Sequence, residues 1–130
     1  MKDYRAAILQ SLVAVAWADQ RLHAREVEVL EALMVAFDVS GEEADALREY
    51  AKLPRTLDDL PLSELSADDR RLLVQYAVLL SYADGDPAQE EMRVIDELVT
   101  RLRISQQQAA PLLAAAHGRA RKLAPLREQA

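Results

Sequence analysis

Residues 16–40, AWADQRLHAREVEVLEALMVAFDVS, recur in altered form as residues 81–105, SYADGDPAQEEMRVIDELVTRLRIS. The offset is 65 positions with no gap: Ala18 matches Ala83, Asp19 matches Asp84, Glu26 matches Glu91, Leu33 matches Leu98 and Ser40 matches Ser105. Trp17 lies over Tyr82, Leu30 over Ile95 and Val39 over Ile104, and the register continues through Ala44 and Ala109, Leu47 and Leu112, Ala51 and Ala116. Whatever the first segment folds into must therefore be built twice. Two copies are too few for a solenoid, so the expectation is two halves packed face to face about a pseudo-twofold axis.

Each copy reads as three helices. Tyr4, Ile8, Leu12 and Val15 stand at helical spacing and predict a helix over about 4–18. Val27, Leu30, Met34 and Phe37 predict a second over about 24–37, and the run Ser40-Gly-Glu-Glu43 predicts a capping box that opens a third. The second copy repeats the plan, over about 67–83 with Leu72, Leu73, Tyr76, Leu79 and Leu80, and over about 87–103 with Met92, Ile95, Leu98, Val99 and Leu102. Ser105-Gln-Gln-Gln108 predicts a further capping box for a last helix ending near 123, which Pro111 should kink or shorten because it has no amide to donate. Between the copies, Pro54 and Pro61 interrupt the chain, Leu62-Ser-Glu-Leu65 has room for one helical turn, and Ser66 is placed to cap the next helix. The fold expected is an all-α bundle of six to seven helices built from two pseudo-symmetric three-helix repeats. It forms one domain over 1–130: repeat one at about 4–52, a linker at about 53–66, repeat two at about 67–124.

Composition narrows the function. The 130 residues are 51% hydrophobic and 29% charged, the balance of a globular domain with a real core. A net charge of −6 argues against nucleic acid, which needs a concentrated basic face; the one basic run, GRARKLAPLR at 118–127, suits a solvated helix end. No Cys is present, so disulfides and thiolate metal sites are excluded. Residues 1–18 loosely resemble a leader, but Asp3 falls in its charged part and Gln10 and Ser11 interrupt its apolar part. No run approaches the ~20 apolar residues of a membrane span. The expectation is a cytoplasmic protein without membrane insertion, whose partner, if macromolecular, is another protein. No nucleophile stands beside a His in a recognisable motif and no glycine-rich phosphate loop occurs, so no enzyme is expected. His117 reads as a partly buried or helix-end His, and the pair Trp17 and Tyr82 as core packing between the repeats.

The chemistry concentrates at the repeated corner. Each copy has an Asp where one helix ends and a Glu seven positions later, in the first turn of the next: Asp19 with Glu26, and Asp84 with Glu91. If the halves meet, the four carboxylates can converge, and such a group must be protonated or bridged by a cation. All-oxygen ligands suit Ca²⁺, Mg²⁺ or Mn²⁺, and His23 beside the first corner could add the nitrogen that favours Zn²⁺. Asp86 and Glu90 are additional candidates, although Asp86 ahead of Pro87 also reads as an N-cap and Gly85 as the left-handed residue ending the previous helix. The competing reading is that the corner carboxylates only cap helices and the domain is a protein-interaction module.

The stretches VAWADQRLHAREVEVLEAL and LLSYADGDPAQEEMRVIDEL resemble the paired motifs of the TerB-like family, the tellurite-resistance proteins and related domains, over about residues 4–118. The family motif is roughly Ala-Asp-Gly followed after five positions by Glu, once per half; here Gln20 stands in place of the first Gly. The resemblance implies an all-helical bundle, a role in tellurite and other chemical stress, and cation binding through Asp19, Glu26, Asp84 and Glu91.

Overall fold

In the computed structural model the chain is all-α, the class that the periodicity predicts. The structure describes residues 3–17, 22–83 and 89–129, the side chains of 3, 4 and 123–129 excepted. Among the described residues there are six α-helices and no strand: α1 (Asp3–Ala16), α2 (Ala24–Ala36), α3 (Gly41–Ala51), α4 (Ala67–Ser81), α5 (Gln89–Arg101) and α6 (Gln106–Gln129). Two single 3₁₀ turns, Leu57–Asp59 and Leu62–Glu64, lie between α3 and α4.

Helices α1 and α4 pack on each other at the centre. Helix α1 is apolar around most of its circumference, a pattern that is stable only when the helix is covered on all sides. Ile8, Leu9, Leu12 and Val13 are accordingly buried, as are Leu73, Val74, Ala77 and Val78 on α4. Ser11, inside this core, satisfies its hydroxyl by donating to the carbonyl of Ala7 at 2.7 Å. Helices α2 and α3 cover α1, while α5 and α6 cover α4; α2 also reaches α4, and α5 also reaches α1. Helix α5 is the most amphipathic of the six, and it buries Ile95, Leu98 and Val99 while its Glu, Asp and Arg side chains stay outside.

The ends of α2 and α5 are built alike, 65 residues apart. Asp38 and Arg103 both take φ of 59°. Val39 N–H then donates to Met34 at 2.8 Å and Ile104 N–H to Val99 at 3.3 Å, with Asp38 N–H on Val35 and Arg103 N–H on Thr100, each at 3.0 Å. This is the Schellman closure, here without the glycine that usually supplies the left-handed residue. Two arginines at matched positions secure the same ends: Arg5 Nη1 donates to the carbonyl of Phe37, and Arg70 Nη1 to that of Leu102. A cation at a helix C-terminus satisfies a carbonyl with no intrahelical partner and opposes the negative end of the dipole.

Several local expectations need correction. Pro111 does not shorten the last helix, because α6 runs from Gln106 to Gln129. Its ring lies on an exposed face near the helix start, so one backbone hydrogen bond is lost while the packing of α6 along α4 is kept. Ser40 is the N-cap of α3, yet its hydroxyl makes no capping bond. Gly41, the next residue, has φ of 60°, so the first position of α3 lacks the right-handed backbone on which a standard side-chain cap depends. Val27, expected on a buried face, is 37% exposed. By contrast Ser66 and Asp69 form a reciprocal capping box at 3.1 and 3.0 Å, and Ser105 Oγ accepts the Gln108 amide at 3.3 Å. The segment expected as a linker is part of the core: Leu57, Leu60 and Leu65 are buried, and its first 3₁₀ turn packs on α1.

Candidate functional site

One cleft is shared by the two corners. Its walls are Val15 and Ala16 at the end of α1, Leu80, Ser81 and Ala83 at the end of α4, and Val94 and Ile95 on α5. Among the described residues His23, Glu26, Glu90 and Glu91 also line it, and its volume is about 130 Å³. That is several times what one water needs. Glu26 sits in the first turn of α2 and Glu91 in the first turn of α5, so each carboxylate stands where the helix dipole favours an anion. The packing of α2 on α4 and of α5 on α1 brings these two N-termini to a common cleft.

The structure thus brings together Glu26 and Glu91 of the four carboxylates expected to converge, with His23 and Glu90 beside them. Asp19, Asp84 and Asp86, and with them Gly85, lie outside the described residues. Among the described residues no group of three His, Asp or Glu side chains is placed to hold a metal ion. Glu26 also acts locally, since its Oε1 accepts the backbone N–H of His23 at 3.0 Å and so closes the start of α2. His23, Glu26 and Glu91 each have bonding or electrostatic partners. Glu26 and Glu91 are partly buried beside an apolar floor, and Glu90 is exposed. Such a lining favours positive over negative charge, and the Ser81 hydroxyl in it donates to the carbonyl of Val78 at 2.6 Å.

Trp17 and Tyr82, equivalent in the sequence, both turn toward the third helix of their own half. Trp17 Nε1 donates to the carbonyl of Ala51 at 2.9 Å. Tyr82 is buried, with its hydroxyl 2.8 Å from His117 Nδ1 and the two rings edge to face at 5.6 Å. Burial holds His117 below its ordinary pKa, and the positive charge of Arg121 adds to that. Both aromatics pack, but the bonds they make lie within their own half rather than between the repeats as expected, and nothing in the sequence signalled the Tyr82–His117 pair, which joins positions offset by 35 rather than by the 34 of the first half. The sequence reading also missed the apolar floor of the cleft, because Val15, Leu80 and Val94 read simply as core positions.

No helix among the described residues is long and apolar enough to cross a membrane. Comparison with protein-family models, with curated proteins and with solved structures returns no match. The resemblance to the TerB-like family therefore rests on the two quoted corner motifs.

Proposed function

We propose that this is a non-catalytic, TerB-like domain of the stress-response type that binds one divalent cation in the cleft between its halves. Glu26 and Glu91 are the described ligands of this reading, with Asp19 and Asp84 from the matched corners as the others. The observation that carries it is that two carboxylates 65 residues apart, equivalent in the internal repeat, line one cleft. Such a pair gains from a bridging cation what it loses to mutual repulsion. Oxygen ligands alone suit Ca²⁺, Mg²⁺ or Mn²⁺, and engagement of His23 would shift the preference toward Zn²⁺.

Calorimetric titration of each ion into chelator-treated protein tests the reading. Binding tighter than millimolar is expected, with at least a tenfold loss in Glu91→Gln and in Glu26→Gln. The second reading, an interaction module whose corners are caps, is favoured by the bond from His23 N–H to Glu26. Glu26→Gln separates the two, since a glutamine oxygen still accepts that amide while the charge is gone. If the wild type binds none of the ions, or if both Gln variants bind them unchanged, the corners are caps and the cation is withdrawn.

A further inference from the structure

A hollow lies where the starts of α4 and α6 meet the turn after α5. Arg70, Arg71 and Arg103 line it, together with Gln108, Leu102 and Ile104, and it encloses about 290 Å³. That volume is close to the ~300 Å³ at which pockets for small organic ligands begin. Three guanidinium groups line the hollow and, among the described residues, no carboxylate does. In a chain whose net charge is −6, such a local excess of positive charge needs a reason.

The three arginines are committed to different degrees. Arg70 is fixed by its bonds to the carbonyls of Leu62, Leu65 and Leu102, and among the described residues it pairs with no carboxylate, so its charge stays uncompensated. Those bonds still leave N–H groups on Nη1 and Nη2 for a ligand. Arg71 pairs with Asp68 at 2.5 Å. The Arg103 side chain is exposed and, among the described residues, makes no hydrogen bond or ion pair. It nevertheless occupies a left-handed position, with φ of 59°, that glycine would fill at lower cost.

The internal repeat offers a comparison. At the matched positions of the first half a hollow is lined by Ala6, Val39 and Glu43, the counterparts of Arg71, Ile104 and Gln108, and among the described residues no arginine lines it. Asp38 is the counterpart of Arg103, and Arg5 that of Arg70. Arg5 and Arg70 tie down the same turn in each half, so the fold accounts for them. It does not account for Arg71 and Arg103, because the first half closes the same turn with Ala6 and Asp38 in their places. We propose that this arginine-lined hollow binds a phosphoryl dianion, as free phosphate or as the phosphate group of a small ester. The two uncompensated charges, on Arg70 and Arg103, match a phosphate monoester, which carries about −1.5 to −2 near neutral pH, whereas a carboxylate would answer only one of them. Guanidinium forks also bond phosphate oxygens two at a time. Ile104, half-buried in the wall, leaves an apolar edge for the organic part of an ester.

The probes are inorganic phosphate, phenyl phosphate and benzoate, the last keeping the ring but carrying a single charge. Calorimetric titration into the full chain at about 0.15 M salt should show phosphate binding tighter than millimolar, with benzoate at least tenfold weaker. Inorganic phosphate binding as tightly as phenyl phosphate, or more tightly, supports the proposal with free phosphate as the ligand; weaker binding supports it with an ester. Arg103→Gly and Arg71→Met should each lose at least tenfold in affinity for the tighter phosphate. Both variants should stay folded, Arg103→Gly because glycine relieves the left-handed residue and Arg71→Met because its pair with Asp68 is exposed. A urea midpoint of Arg103→Gly at or above that of the wild type, together with lost binding, separates a ligand-binding arginine from a structural one. Glu91→Gln, in the acidic cleft, should leave phosphate affinity unchanged. The proposal is overturned if neither phosphate compound binds below millimolar, if benzoate binds as tightly as phenyl phosphate, or if neither arginine variant weakens binding.

Discussion

Replacing Arg70 by Met should cost this fold far more than an ordinary change at a partly exposed position. The guanidinium donates to three carbonyls: Nε to Leu65 at 3.1 Å, Nη1 to Leu102 at 2.9 Å and Nη2 to Leu62 at 2.8 Å. Two belong to the segment leading into α4, and the third closes the turn after α5. A hydrogen bond from a charged donor contributes ~1.5–3 kcal/mol, so three give ~4–5 kcal/mol even at the low end of that range. Arg70 is only partly buried and water can reclaim some of those carbonyls, which leaves ~2–3 kcal/mol. Met keeps the aliphatic stem, so the measured loss reports the polar head. For a domain of this length the melting temperature should fall by about 6–15 °C. Urea unfolding should show a lower midpoint at unchanged m. Arg71→Met is the control, because Arg71 pairs with Asp68 at 2.5 Å on the exposed face, a pair worth at most ~0.5 kcal/mol. Arg5→Met, which removes the single bond to Phe37, should fall between the two. If Arg70→Met costs no more than Arg71→Met, the account of how α5 is tied down is wrong.

Arg103 occupies a left-handed conformation that costs a side chain ~1–2 kcal/mol, so Arg103→Gly should stabilise by ~0.5–1 kcal/mol in urea unfolding, while Arg103→Val should destabilise. Leu65→Ala in the inter-half segment should lose ~2–4 kcal/mol, whereas Leu53→Ala, 63% exposed, should stay within ~0.5 kcal/mol; equal small effects would mean that the segment is a mere spacer. His117 titrates below its ordinary value of about 6.5 in the folded chain, so its neutral burial contributes full stability above that pH. That contribution is lost as pH falls from about 6.5 toward the folded value, because the unfolded chain then binds the extra proton. The urea midpoint of His117→Gln should therefore fall less than that of the wild type between pH 7 and pH 5, and parallel profiles would refute the assignment.

The helices were legible because their apolar residues repeat at 3.6, and most predicted cores agree with the buried sets on α1, α4 and α5. The expected ends were less accurate: α1 stops at Ala16 and α4 at Ser81, short of the predicted 18 and 83. The turns after α2 and α5 could not be read, since Asp38 and Arg103 carry no glycine signal for a left-handed residue. Nor could Arg5 and Arg70 be singled out, because an arginine that reaches a carbonyl 32 residues away looks like any charged residue near a helix start. The corner carboxylates were legible as a pattern through their recurrence, while the cleft shared by Glu26 and Glu91 was not.

The sequence by itself determined that this chain is helical, that its corners occur twice, and that each corner carries an acidic pair at fixed spacing. Those properties are local, set by propensity, periodicity and caps within a few residues. Only the tertiary structure decided which faces meet. It brought the N-termini of α2 and α5 to one cleft, drew Leu57, Leu60 and Leu65 of the intervening segment into the core, and left α2 and α3 apart over a groove. These outcomes depend on how α1 and α4 pack, and that contact joins residues about half the chain apart, beyond the reach of any local signal.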